Sequence, residues 1–272
     1  MNIKKPNIGG AVYILPNLLT TGNLYFGFFS IVKSLQLQFG WAAAAIFIAS
    51  IFDVLDGRVA RLTKSTSEFG VQYDSLCDLV SFGLAPAFLM YQFGLNNSGR
   101  IGWIVCFIFL ACGALRLARF NVQSSIGKAN GDFTGLPIPM AASVPAVFVA
   151  LIVAMKSPEN VGHPLFSKVE FLFLNETYQR GFLLFLAPAL AFMMVSNVAY
   201  RSHKSLNISG VKPFRMLAIL VLVIGLLAFE PETVGFVFLF GYALSGPFEW
   251  ILGWKKATED DDIFSSEQPE DQ

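Results

Sequence analysis

Ala42-Ala43-Ala44-Ala45-Ile46-Phe47-Ile48-Ala49-Ser50-Ile51-Phe52-Asp53-Val54-Leu55-Asp56-Gly57-Arg58-Val59-Ala60-Arg61 is an apolar run that ends in two carboxylates, a glycine and two arginines. No charge precedes Asp53 in this run. A helix needs ~20 mostly apolar residues to cross the hydrocarbon of a membrane, because unpaired backbone groups there cost several kcal/mol each. The stretch from about 41 to 61 meets that length and brings its acids to one membrane face. Asp53 and Asp56 stand three apart, so they share one side of the helix.

Reading outward, a polar loop holding Lys64, Thr66 and Ser67 is followed by Gly70, Asp74 and Asp78. Asp74 and Asp78 open a third apolar stretch and, four apart, also share a helix face. Eight stretches of membrane-crossing character occur along the chain: about 13–33, 41–61, 74–94, 101–119, 138–155, 181–199, 213–229 and 232–252. The pattern predicts an all-α, polytopic membrane helical bundle of about eight transmembrane helices. Composition agrees: 54% of residues are hydrophobic and 14% charged, against roughly 45–50% and 25% in soluble domains. Residues 1–255 read as one membrane-embedded domain. Residues 256–272, rich in acids from Glu259 to Asp271, read as a disordered cytoplasmic tail.

Charge also predicts orientation. With the N-terminus taken as cytoplasmic, only Lys33, Arg100, Lys156, Lys168 and Arg180 of the 19 Lys and Arg fall on the outer side. The remaining fourteen lie inside, as the positive-inside rule expects, and an even span count places both termini in the cytoplasm. A net charge of zero, with no basic run carrying interleaved aromatics, gives no argument for nucleic acid as a partner, and none is expected. Cys77, Cys106 and Cys112 have no metal-site spacing and read as buried reduced thiols.

Four carboxylates converging at one membrane face repel one another and lose hydration. They must take up protons or bind divalent cations. All-oxygen ligands suit Mg²⁺, Mn²⁺ or Ca²⁺, and no His or Cys accompanies them to suit zinc. Such a site fits a diphosphate, whose charge bound cations would offset. Gly57 and Ala60 leave room beside the helix backbone, Arg61 can pair with phosphate, and Thr66 or Ser67 can donate from the loop. A cation transporter is the competing class. It would place acids near the bilayer midplane in two symmetry-related halves, whereas this sequence has one cluster and no second copy.

The pattern Asp53-x2-Asp56-Gly57-x2-Ala60-Arg61-x8-Gly70-x3-Asp74-x3-Asp78 resembles, at every fixed position, the signature of the CDP-alcohol phosphotransferase family. The resemblance implies a two-metal site on the cytoplasmic face that cleaves the diphosphate of a CDP-linked lipid. By that likeness Asp53, Asp56, Asp74 and Asp78 ligate Mg²⁺ or Mn²⁺, and Asp78 is also the catalytic general base. Gly57, Ala60 and Arg61 contact the CDP part, and Ser67, in the variable segment, is a further substrate contact. Homodimers are what the family resemblance implies.

Further segments bear on the acceptor. Tyr13-Ile-Leu-Pro-Asn17-Leu-Leu-Thr20-Thr-Gly22-Asn23, Gly113-Ala-Leu-Arg116-Leu-Ala-Arg119-Phe-Asn121 and Gly135-Leu-Pro137-Ile-Pro139 resemble bacterial-type phosphatidylserine synthases. That likeness, over roughly residues 10 to 150, implies CDP-diacylglycerol and L-serine as substrates in the bacterial cytoplasmic membrane. Arg116 and Arg119 end the fourth span, three apart on one face, where they can hold the serine carboxylate beside Asn121. They also suit anchoring at the membrane surface, or the phosphate of a glycerol phosphate or inositol phosphate acceptor; choline is a further alternative. Asn17 and Thr20 either touch the donor's phosphates or serve capping and packing.

Overall fold

The computed structural model describes residues 9–125, 133–157, 174–200 and 231–251, together with the single positions 221 and 225. Seven of the eight apolar stretches become helices: α1 (Gly9–Leu35), α2 (Phe39–Leu62), α3 (Glu68–Phe93), α4 (Gly99–Ser125), α5 (Ile138–Met155), α6 (Glu176–Val195) and α7 (Pro231–Ile251). The stretch 213–229 and the acidic tail lie outside the described residues. Five of the seven, α2 to α6, are long and apolar enough to cross a membrane, α4 together with the short 3₁₀ turn Leu95–Ser98 that precedes it. The protein is a helical membrane protein. Its non-helical pairing among the described residues is β1 (Phe133–Thr134) against β2 (Ala199–Tyr200), antiparallel with Phe133 opposite Tyr200.

Two helix boundaries differ from the hydropathy reading in ways that matter for the site. Helix α3 starts at Glu68, so Asp74 and Asp78 lie inside it and not at its mouth. Helix α4 runs on to Ser125, so Arg116, Arg119 and Asn121 stand on continuous helix and do not end it. Hydropathy finds where lipid stops, whereas helical hydrogen bonding continues into the wetter interface.

Helix α5 forms the centre of the bundle. Phe148 and Ile152 are fully buried there and belong to the same core as Phe82 and Met90 of α3 and Leu186 and Leu190 of α6. Phe28, Trp41, Phe107, Phe185 and Phe192 point outward and exposed. A soluble monomer rarely exposes so many large apolar side chains, but lipid tails solvate them readily.

The hairpin between α2 and α3 is built by local chemistry. Ser65 N–H donates to Ala60 O at 3.0 Å and Lys64 N–H to Arg61 O at 3.3 Å, with Lys64 at φ 52°. This is a Schellman-type ending in which a lysine holds the left-handed position usually given to glycine. Ser67 then caps α3 by accepting from Gly70 N–H at 3.0 Å. The tight turn lays the carboxylate face of α2 against that of α3.

Helix α1 lies across both. A Cβ at Gly27 would come within 2.7 Å of Ser81 Cα, so the absence of a side chain sets the approach of α1 to α3. Ser81 belongs to a π-helical turn, Leu79–Leu84, that begins immediately after Asp78. Such single π turns inside α-helices are frequent at functional sites.

Candidate metal and substrate site

Asp53 and Asp56 come from the last three turns of α2, and Asp74 from the second turn of α3. One carboxylate oxygen from each lies within 4.8 Å of the others. Asp56 is 4% exposed, and its Oδ2 and the Oδ1 of Asp74 are buried without a hydrogen-bond partner among the described residues. Buried acceptors left unpaired are costly, and carboxylates this close repel. A divalent cation would answer both needs, so the donor set fits a hard metal ion held by Asp53, Asp56 and Asp74.

Asp78, one helical turn beyond Asp74, is placed differently. It is 8% exposed, and Asn23 Nδ2 of α1 donates to its Oδ1 at 2.9 Å. It stays within electrostatic reach of Asp53 and Asp74 without joining the three-carboxylate cluster. The sequence makes all four acids candidate ligands and Asp78 also the base; the structure gathers Asp53, Asp56 and Asp74 and sets Asp78 beside them. Asn23 was not singled out, although its signal was present: an amide inside an apolar span needs a partner, and it lies three residues from Thr20 on the same face.

Thr20 is buried beside Asp56, and its hydroxyl donates to Pro16 O at 3.1 Å. Asn17 is half-buried, with its Oδ1 3.6 Å from where a Cβ on Gly70 would stand, beside the Ser67 cap. Asn17 and Ser67 therefore gather at the start of α3, and Ser67 spends an oxygen lone pair on capping. Gly57 and Ala60 are half-buried on α2. The side chain of Arg61 is exposed, with its Nη2 3.9 Å from where a Cβ on Gly57 would be.

The two arginines of α4 have separate surroundings. Arg116 is 8% exposed and lies within electrostatic reach of Asp53 and Asp78. Its guanidinium sits over the Phe120 ring, 5.4 Å from the centroid, and makes no hydrogen bond among the described residues. Arg119 turns toward α6, donating from Nη2 to Val195 O at 2.7 Å and from Nη1 to Asn197 Oδ1 at 3.1 Å.

The same end of α6 also holds the segment before α5. Gly135 N–H donates to Val198 O at 2.9 Å, and Leu136 N–H donates to Met193 O at 3.0 Å. Gly135 has φ 77°, and a Cβ there would collide with the Met194 carbonyl. Asn121 faces α3, donating from Nδ2 to Ser75 Oγ at 2.9 Å.

A hard-metal cluster beside a buried, hydrogen-bond-free arginine suits a doubly anionic reaction partner. The family model described as CDP-alcohol phosphatidyltransferase matches residues 13–175, more than half of the chain. The chain belongs to the CDP-alcohol phosphatidyltransferase family. Members of the family are enzymes that transfer a phosphatidyl-type group from a CDP-linked donor, and this chain is one of them. It is 39% identical over 242 residues to a CDP-diacylglycerol–serine O-phosphatidyltransferase of Helicobacter pylori, covering 89% of this chain and 92% of that protein. A protein of the same name from Mycobacterium bovis is 28% identical over 88% of this chain and 79% of its own length. An archaetidylserine synthase of Methanothermobacter thermautotrophicus is 43% identical over 130 residues, 47% of this chain and 54% of that one.

Proposed function

We propose that this phosphatidyltransferase moves the phosphatidyl group of CDP-diacylglycerol to L-serine, giving phosphatidylserine and CMP. The observation that carries the serine assignment is Arg116. It is a buried cation with no hydrogen bond among the described residues, within electrostatic reach of Asp53 and Asp78. A free carboxylate complements a guanidinium with hydrogen-bond donors to spare, and serine is the acceptor alcohol that brings one. The name shared by the Helicobacter and Mycobacterium relatives supports the same acceptor.

Asp53, Asp56 and Asp74 would hold Mg²⁺ or Mn²⁺, with Asp78 beside them as the base. When bound, the metal offsets the negative charge of the donor diphosphate and of the departing CMP. Gly57 and Ala60 leave the donor's cytidylate room along α2. Arg61, Asn17, Thr20 and Ser67 bind its phosphates from the α2–α3 turn and from α1. Asp78 takes the serine hydroxyl proton as that oxygen attacks the phosphorus bearing diacylglycerol. The new P–O bond forms there, and the bond to the CMP oxygen breaks with its electron pair leaving on CMP. Arg119 keeps α6 and the Gly135 segment in place around the acceptor, and Asn121 fixes α4 to α3.

In this reading the chain crosses the membrane eight times. Both termini and the aspartates face the cytoplasm of a bacterial inner membrane, in line with the five outer cations among 19. Residues 1–255 form the membrane domain, the acidic tail is solvated, and two copies associate as a homodimer. The deciding experiment gives purified protein CDP-diacylglycerol with labelled serine, glycerol 3-phosphate, inositol phosphate or choline in parallel, and identifies the lipid formed. Label entering lipid from serine alone supports the assignment. Transfer to a phosphorylated alcohol in preference to serine overturns it.

A further inference from the structure

Helix α1 carries a buried polar stripe at Thr20, Asn23, Ser30 and Ser34, with exposures of 4%, 0%, 0% and 0%. Thr20 and Ser30 spend their hydroxyls on backbone carbonyls, Pro16 and Ala42. Asn23 instead reaches a titratable side chain of another helix. Its Nδ2 donates to Asp78 Oδ1 at 2.9 Å, and its own backbone carbonyl accepts from Ser81 Oγ at 3.0 Å. The two bonds straddle the start of the π turn, and the Gly27–Ser81 approach one turn further along α1 holds them in register.

An amide offers both a donor and an acceptor, but an ionised carboxylate only accepts, so the NH₂ side must face Asp78. The Oδ1 of Asn23 has no partner among the described residues. A leucine would fill the same space without a buried orphan oxygen, so packing gives no reason for an amide at this position. Its distinctive contribution is the bond to Asp78. That bond engages one oxygen of the carboxylate and stops the group from swinging into the Asp53–Asp56–Asp74 cluster, leaving its other oxygen for the reaction.

We infer that Asn23 is a positioning residue that holds Asp78 out of the metal cluster and aims its free oxygen at the acceptor hydroxyl. This rests on the reading of Asp78 as the base. The test combines Asn23→Leu and Asn23→Ala with Asp78→Asn in the detergent-purified full chain, measuring steady-state kinetics and Mn²⁺ affinity by electron paramagnetic resonance. Asn23→Leu should lower kcat about 10- to 150-fold, the loss of one hydrogen bond to a charged group. KM for both substrates and the Mn²⁺ affinity should stay within about twofold of the unmutated protein. In the Asp78→Asn background the Leu substitution should cause no further loss, because its effect passes through the carboxylate.

Unchanged kcat in either single variant overturns the inference. So does a loss read mainly in KM or in Mn²⁺ affinity, or an equal fold-loss in both backgrounds. If Asn23→Leu does not fold, Asn23→Ala carries the same test; failure of both to fold makes Asn23 a residue of assembly and ends the proposal. Near-normal turnover by Asp78→Asn alone would instead remove the base itself. A normal Asn23→Leu beside an inactive Asp78→Asn refutes only the positioning.

Discussion

Replacing Arg116 by Gln removes a buried cation while keeping a side chain that can still lie along Phe120. The guanidinium is 8% exposed and has no hydrogen bond among the described residues, so the substitution strands few protein partners and its main effect falls on what binds there. A hydrogen bond to a charged group contributes ~1.5–3 kcal/mol. Losing it should raise the KM for serine about 10- to 150-fold. The sign of the electrostatic side effect is opposite: Asp53 and Asp78 lose a nearby positive charge, so metal affinity should hold or improve. Arg116→Lys should recover only part of the loss, because an ammonium lacks the bidentate fork. Arg119→Gln is the internal control. It breaks bonds to Val195 O and Asn197 and should lower thermal stability while leaving the ratio of the two KM values unchanged. The assay is steady-state kinetics with each substrate varied in turn, beside a thermal melt in detergent. Equal effects of Arg116→Gln on both substrates, or a larger serine effect from Arg119→Gln, would refute the assignment of the carboxylate to Arg116.

Asp78→Asn should cut kcat by ~10²–10⁴-fold with the protein still folded, because a carboxamide cannot accept the proton; a melt alongside the rate measurement checks it. Excess EDTA should stop transfer and added Mg²⁺ or Mn²⁺ should restore it, while Asp56→Asn should need a higher metal concentration for half-maximal rate; activity in metal-free protein verified by elemental analysis would contradict this. Gly27→Ala places a Cβ against the Ser81 backbone and should destabilise by ~1–3 kcal/mol, read as a lowered melting temperature. The same change should also lower kcat by pushing α1, and with it Asn23, away from Asp78.

Much of the site was legible because it is local. Asp53, Asp56, Asp74 and Asp78 lie within one helical hairpin, so spacing alone assigns each pair to a face, and a short turn brings the faces together. The fifth span, expected at about 138–155, becomes the helix Ile138–Met155, since Pro137 and Lys156 bound a run whose one polar residue is Ser143. The fourth was cut short at 119, because the polar residues from Asn121 to Ser125 resemble a loop in hydropathy yet continue the helix.

Sequence by itself determined that the chain is helical, that lipid is its solvent and that Asp53, Asp56, Asp74 and Asp78 belong to one helical hairpin. Each follows from a repeat or a run that a helix of fixed pitch converts directly into position. Tertiary structure decided what distinguishes residues of the same type. Arg116 and Arg119 are equivalent by spacing, but three residues along a helix is about 60° short of a full turn, enough to point one at the aspartates and the other at α6. Asp78 separates from Asp74 through Asn23, 55 positions away, and a contact of that separation exists only once α1 has packed across the hairpin at Gly27. Local spacing fixes which face a side chain occupies; the helix that comes to cover that face, and so the partner it meets, is set by packing between distant segments.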